Sequence, residues 1–154
     1  MRCLTNKEIR MLTNYFLENY NIDIKELIKD KTIIFDEKEK LYFLENIPIA
    51  FIYNEKIYPT LFLISKIEPD IPYVIVDLGA KEKILNGADV FKPGIIEMDK
   101  RMKKDFPVLI ISSDRALLAL GIALYNYEEL LKMEKGKVIK NIHYYGDKIF
   151  RLKR

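Results

Sequence analysis

Val76-Asp77-Leu78-Gly79-Ala80, then six residues, then Gly87-Ala88-Asp89-Val90-Phe91-Lys92-Pro93-Gly94: the reading of this stretch decides the fold. Tyr73-Val74-Ile75-Val76 leads into it as a short buried strand. A helix follows from Gly79 to Asn86, with Ile84 and Leu85 on its apolar side and Gly87 as its terminator. Asp77 is placed to order the start of that helix, and Asp89 to fix the start of the next strand, Val90-Phe91. Pro93-Gly94 breaks this strand with a turn, read as type II with glycine supplying a positive φ. Gly79, Gly87 and Gly94, with Ala80 and Ala88, leave a surface almost bare of side chains. A sugar-phosphate backbone can approach such main chain closely, and exposed N–H groups can donate to phosphate or 2′-hydroxyl oxygens. The plainer reading is that each glycine only caps a helix or makes a turn. Paired Gly-Ala steps argue against it for the set, because tight turns rarely need them.

Working outward toward the C-terminus, Val108-Leu109-Ile110-Ile111 and Leu117 to Leu124 read as apolar strands. Tyr127 to Met133 reads as a short helix capped by Asn126. A closing hairpin is expected, with Val138 to Tyr145 running in, a type II′ turn at Gly146-Asp147, and Lys148 to Leu152 returning. Short strands with two small helices predict a compact β-barrel-like module. Toward the N-terminus, Ile9, Leu12, Phe16 and Leu17 recur at helical spacing, which predicts an amphipathic helix from Asn6, its N-cap, to Tyr20. A second short helix covers Ile24 to Ile28, with Asp23 as cap. The period then changes to short β-type runs at Thr32–Phe35, Lys40–Leu44, Ile49–Tyr53 and Thr60–Ile64. Pro69 and Pro72 interrupt the chain where no central strand can run. The fold class is therefore α+β, with an N-terminal α+β domain in residues 1–70 and a barrel-like domain in residues 72–154. There are no repeats and no low-complexity tracts.

The quoted stretch resembles the signature of the PUA domain, named for pseudouridine synthase and archaeosine transglycosylase. That family shows a strand, a Gly-Ala helix start, a Gly-Ala-Asp-Val step and a Pro-Gly turn. Tyr58-Pro59-Thr60-Leu61 and Asn141-Ile142-His143-Tyr144 extend the likeness to the malignant-T-cell-amplified-sequence proteins, which have related modules in ligatin-type initiation factors. The resemblance implies a pre-PUA domain before the PUA domain. It also implies association with the small ribosomal subunit or tRNA in translation initiation, reinitiation or recycling, and a protein partner docking on the N-terminal domain. Two departures stand out. Leu78 occupies a place where the family often has a basic residue, and Lys92 one that is frequently uncharged.

Composition sets the limits of function. The chain has 154 residues and a net charge of +3, with 49% hydrophobic and 32% charged residues, a globular balance. It lacks Gln and Trp but carries 20 Lys and 23 Ile, a bias that fits an AT-rich, heat-loving, archaeal-like source. No apolar run approaches the roughly 20 residues needed to span a bilayer. The first residues lead into a charged segment rather than a signal-peptide core, so a cytoplasmic location without membrane contact is expected. Cys3 and His143 are the only residues of their kinds, which leaves no Cys/His zinc set and no internal disulfide. There is no phosphate-binding Gly-Lys-Ser/Thr loop and no dinucleotide fingerprint, and neither a cofactor nor an active site is expected.

Charge is unevenly spread. Residues 1–69 hold 10 basic and 11 acidic side chains, and residues 70–154 hold 16 and 12. The second half is therefore the better partner for a polyanion. The candidate RNA-binding set is Gly79, Ala80, Lys81, Gly87, Ala88, Lys92, Pro93 and Gly94, with the basic run Lys100, Arg101, Lys103 and Lys104 as a phosphate clamp. Lys148 and Arg151 join it, beside Lys153 and Arg154 in the tail. His143 is expected to make a structural hydrogen bond or to stack on RNA. Tyr42, Tyr53, Tyr58, Tyr125, Tyr144 and Tyr145 could stack on bases, though packing suits most of them. The expected role is a non-enzymatic binder of structured RNA, tRNA or small-subunit rRNA. The alternative is a targeting subunit acting in trans for a tRNA or rRNA modification enzyme.

Overall fold

The computed structural model describes residues 1–152. The chain forms two compact units, residues 1–70 and 71–151. Among the described residues no helix is long and apolar enough to cross a membrane.

The first unit opens with a two-residue strand, β1 (Arg2–Cys3), followed by helices α1 (Asn6–Tyr20) and α2 (Lys25–Ile28). Strands β2 (Ile33–Asp36), β3 (Leu41–Leu44), β4 (Ile47–Tyr53) and β5 (Lys56–Pro59) then lead to helix α3 (Leu61–Ile67). The five strands pair antiparallel in chain order. Thr5, not Asn6, caps α1: its side chain accepts from the Glu8 N–H while the Glu8 carboxylate accepts from the Thr5 N–H. This reciprocal pair satisfies two end donors at once, so the helix begins one residue after the threonine. Asp23 accepts from the Lys25 N–H, but Ile24 is the residue at the cap of α2. Leu12 and Phe16 turn inward from α1.

Residues 60–64 are not a strand. Thr60 is fully buried, donates to the Pro48 carbonyl at 2.7 Å and accepts from the Leu63 N–H, capping α3. A five-residue apolar run carries too few periods to separate helix from strand, and here the cap decides. The exposed edge of β5 is closed by α1: the Ile57 N–H donates to the Tyr15 hydroxyl, and the Tyr20 hydroxyl donates to the Ile57 carbonyl. Edge groups paired in this way cannot recruit another strand. Burial raises the pKa of Tyr20 well above the phenol range, so its hydroxyl keeps its proton at every physiological pH.

The second unit holds β6 (Tyr73–Val76), α4 (Leu78–Ile84), β7 (Val90–Phe91), one turn of 3₁₀ helix at Lys92–Gly94, and β8 (Ile95–Met98). It continues with β9 (Pro107–Ser112), β10 (Leu117–Ala123), α5 (Tyr127–Lys132), β11 (Lys137–Tyr144) and α6 (Lys148–Arg151). The sheet order is β7-β11-β10-β9-β6-β8, antiparallel throughout except for the parallel β6–β9 pair. Its two edge strands are neighbours in sequence, joined only by Lys92–Gly94, so the sheet curls into a nearly closed barrel. The 3₁₀ turn is fastened to both sides: the Lys92 N–H donates to the Gly136 carbonyl, and the Asp77 N–H to the Gly94 carbonyl. Val74, Ile110, Leu118, Val138 and Ile139 fill the interior with Ile84 and Leu130 from α4 and α5. At Gly121, where β10 bulges against β11, an added Cβ would lie 2.4 Å from the Ile139 Cγ2 atom. Only glycine permits that approach.

Two expectations fail in this unit. Pro93-Gly94 is a 3₁₀ turn closed by the Ile95 N–H on the Lys92 carbonyl, and Gly94 does not have a positive φ. Ile95–Met98, to which the sequence alone assigns no element, is an edge strand. Lys148 to Arg151 forms a third short helix instead of the return strand of a hairpin. Asp147 is the cause, because its Oδ1 accepts from the Ile149 N–H and its Oδ2 from the Tyr144 N–H. A carboxylate holding the first free N–H groups favours helix over ladder. Lys148 and Arg151 consequently stand three apart on one helical face instead of alternating along a strand. His143 is fully buried, with Nδ1 2.7 Å from the Asp147 Oδ2 and its ring stacked on Phe150. It serves the fold, and a ring so enclosed cannot stack on RNA.

Candidate nucleic-acid interface

The bare stretch of sequence folds into one groove. Helix α4 presents Gly79, Ala80, Lys83 and Ile84 along one wall. Ala88, Asp89, Val90, Phe91, Pro93 and Gly94 complete the lining, around a volume of about 500 Å³. Asp77 lines the groove as well and caps α4, accepting from the Ala80 N–H at 2.8 Å through Oδ1. Five of the candidate residues, Gly79, Ala80, Ala88, Pro93 and Gly94, thus meet at one place.

The glycines separate by role. Gly87 has φ +96°, and a Cβ there would press on the Tyr144 ring at 3.3 Å, so it is the helix terminator and not part of the groove lining. Gly94 needs no special φ, and its Cβ would sit 3.6 Å from the Ala80 Cβ, an ordinary contact. Glycine there keeps the space between the 3₁₀ turn and α4 open, and no turn geometry demands it.

Several expected cations are committed elsewhere. Lys81 pairs with Asp114 at 2.6 Å, tying α4 to the β9–β10 turn, and together with the Ser112 hydroxyl it holds the Asp114 pKa down to about 2. Lys92 donates its ammonium to the Met133 carbonyl at 2.8 Å. Arg101 grips the buried Asp99 with two nitrogens, at 3.1 and 2.8 Å, and lowers its pKa. Lys103 lies over the Phe106 ring, and Lys100 and Lys104 are exposed on the same β8–β9 connection. None of this run lines the groove. Lys148 and Arg151 are exposed on α6, also outside it, while Lys153 and Arg154 lie outside the described residues.

The cations that do flank the groove are different ones. Lys83 is exposed and lines it. Lys137 and Lys140, each close to half exposed, reach the groove residue Asp89 at 3.4 and 3.7 Å from β11. Asp89 also accepts from the Asn141 N–H, as expected of a residue that fixes the start of β7. Lys137 and Lys140 lie far along the chain from the quoted stretch, and only the β7–β11 pairing brings them to it. Phe91, 54% exposed, is a second omission. Strand alternation marks it, since Val90 is buried and its neighbour must face out. Of the tyrosines, Tyr58 is buried, and Tyr144 packs on Gly87.

Residues 72–145 match the PUA domain family, and residues 2–67 match the domain of unknown function DUF1947. The chain carries a PUA domain behind a DUF1947 domain and is similar to the malignant-T-cell-amplified-sequence proteins. It is 38% identical to the uncharacterized protein MJ1432 of Methanocaldococcus jannaschii, over 96% of this chain and 91% of that one. It is 29% identical to translation machinery-associated protein 20 of Schizosaccharomyces pombe, over 83% and 76%. Malignant T-cell-amplified sequence 1 of Rattus norvegicus is 32% identical over 62% of this chain and 55% of its own. A conserved PUA domain protein from Thermoplasma acidophilum superposes with a TM-score of 0.80 at 28% identity, covering 99% of both chains. In this PUA domain Lys83, Lys137 and Lys140 are the cations next to the groove, and Asp77 and Asp89 are carboxylates in its lining.

Proposed function

We propose that this PUA-domain protein binds RNA in the groove between α4 and β7 and acts without catalysis of its own, in association with the small ribosomal subunit or tRNA during translation initiation or recycling. The observation that carries the reading is the groove itself. Main chain at Gly79 and Gly94 is uncovered, Phe91 offers an exposed ring for a base, and Lys83, Lys137 and Lys140 offer ammonium groups for the phosphates beside it. Its kinship with a translation machinery-associated protein supports placing that RNA in the translation apparatus. The near-neutral first unit suits a protein partner better than a polyanion.

Binding to tRNA and to small-subunit RNA, titrated against salt, tests the proposal. Each phosphate neutralised adds roughly 0.7 to 0.9 to the slope of log affinity on log salt. A slope near two or three is expected from the three flanking lysines. Crosslinks to cellular RNA are expected at groove residues. A flat salt response, or no binding at micromolar protein, refutes the reading. Recovery of the protein with a modification enzyme in place of ribosomal subunits transfers the same groove to RNA targeting in trans.

A further inference from the structure

Asn141 of β11 is 9% exposed and is not itself part of the groove lining, yet it is fastened to three residues that are. Its Nδ2 donates to the Ile84 carbonyl at 3.1 Å and to the Ala88 carbonyl at 3.0 Å, and its main-chain N–H donates to the Asp89 Oδ1 at 2.9 Å. Ile84 ends α4, and Ala88 and Asp89 lead into β7. One carboxamide thus spans the connection between the two elements. The reverse orientation would set the amide oxygen against two carbonyls, so the nitrogen must face them.

This arrangement works against the stability of the fold. With both Nδ2 hydrogens spent, the Asn141 Oδ1 is buried without a hydrogen-bond partner, the one side-chain N or O atom in that condition among the described residues. A buried acceptor without a donor is destabilising. The strand also bulges here: Gly121 of β10 pairs with Asn141 and Leu120 with His143, so Ile142 is the extra residue. Bulges re-aim the side chains beside them and are common next to functional sites. A hydroxyl has one hydrogen and cannot serve both carbonyls, whereas an amide serves both and leaves its oxygen over. Natural folds break local rules of this kind mostly where a site requires it.

Resting on the RNA-binding reading of this groove, we infer that Asn141 is its positioning residue. It fixes the spacing of α4 and β7 without touching RNA, and its orphaned oxygen is tolerated for the sake of that spacing. The Ile84 carbonyl also accepts from the Gly87 N–H and stays satisfied without Asn141. The Ala88 carbonyl has no other donor among the described residues. Freed of Asn141 it must turn toward water, and the start of β7 moves with it.

Asn141→Ser tests this, because it keeps a donor for one carbonyl at most and gives up the other. Fluorescence anisotropy at one fixed salt concentration gives the affinities for a tRNA transcript and for small-subunit RNA. Amide hydrogen exchange is recorded on the same protein. Exchange is expected to quicken at residues 85–91 while β9 and β10 keep their protection. Binding is expected to weaken about tenfold, as for one lost hydrogen bond to the strand. Combined with Gly94→Ala, the loss should fall well short of the about hundredfold that two independent effects multiply to, since both changes act on one spacing. A general loss of stability would multiply in full and would not localise in exchange. If Asn141→Ser does not fold, Asn141→Thr, which also keeps one hydroxyl but fills more of the space, is read in the same way. Parent-like RNA binding by the variant, unchanged exchange at residues 85–91, or losses that multiply in full each overturn the inference and leave the groove an RNA site. If the parent protein binds neither RNA, the RNA-binding reading fails and takes this inference with it.

Discussion

Replacing Gly94 with alanine separates a glycine kept for the fold from one kept for a ligand. The backbone at Gly94 lies outside the left-handed region, and the new methyl would meet only the Ala80 Cβ, at 3.6 Å. Nothing in the native fold resists it, and the unfolded chain loses freedom. Such a change stabilises by about 0.4–1 kcal/mol. For a chain of this length that raises the melting temperature by about 1–4 °C. The same methyl narrows the groove where α4 and the 3₁₀ turn leave main chain uncovered. Displacing a strand enough to lose one hydrogen bond of about 1.5 kcal/mol weakens RNA binding about tenfold. Stability and binding should therefore move in opposite directions, which thermal unfolding and an RNA-binding isotherm read together. Gly87→Ala is the control, because φ +96° costs a side chain about 1–2 kcal/mol and the Tyr144 ring at 3.3 Å adds to it. Gly94→Ala that binds RNA like the parent would refute the claim that this main chain receives the strand. A fall in its melting temperature would refute the claim that Gly94 is spared by the fold.

The flanking charges make a second expectation. Alanine at Lys83, Lys137 or Lys140 should each lower the salt slope of RNA binding by about 0.7–0.9, whereas Lys81→Ala and Lys92→Ala should leave it unchanged, since the Lys81 ammonium is paired with Asp114 and the Lys92 ammonium with the Met133 carbonyl. Thr60→Val should cost about 2 kcal/mol in chemical denaturation, because the Pro48 carbonyl and the Leu63 N–H both lose their buried partner. Gly121→Ala, with its Cβ driven to 2.4 Å from Ile139, should cost about 3 kcal/mol or prevent folding, read by the same denaturation curves. The Asp114 carboxyl titrates near 2 in the folded protein, below the ordinary value of 3.8. A depressed folded pKa adds stability above the unfolded value, and that stability is lost as pH falls from about 4 toward 2. Carboxyl chemical shifts should show this midpoint, and Lys81→Met should move it upward.

The parts of the fold legible in sequence were those fixed by local rules. The α1 periodicity, the Asp77 cap and the Gly87 terminator each depend on neighbours within a few residues. The misreadings share one cause, which is competition from a partner outside the window. Residues 60–64 pass for a short β-type apolar run until the Thr60 hydroxyl finds the Pro48 carbonyl. Residues 148–151 carry a plausible hairpin return until Asp147, held by Tyr144 and His143, offers its other oxygen to the next N–H. Lys92-Pro93-Gly94 has turn chemistry of several kinds, and the link to both barrel edges selects the 3₁₀ form.

The site divides along the same line. Its uncovered main chain was readable because small residues declare their own lack of side chain wherever they fall. Its charges were not, because a lysine's availability depends on which carboxylate or carbonyl lies within reach of its long stem. Lys81 and Arg101 stood in the candidate set, yet Asp114 and Asp99 outside the groove take them up, whereas Lys137 and Lys140 reach the groove carboxylate Asp89 through the pairing of β7 with β11. On the proposed reading of the groove, a basic run is a poor guide to where phosphate sits, and a run of small residues a good guide to where it can approach. That asymmetry is why Gly94 and the three flanking lysines, and not the dense segment at residues 100–104, carry the decisive tests.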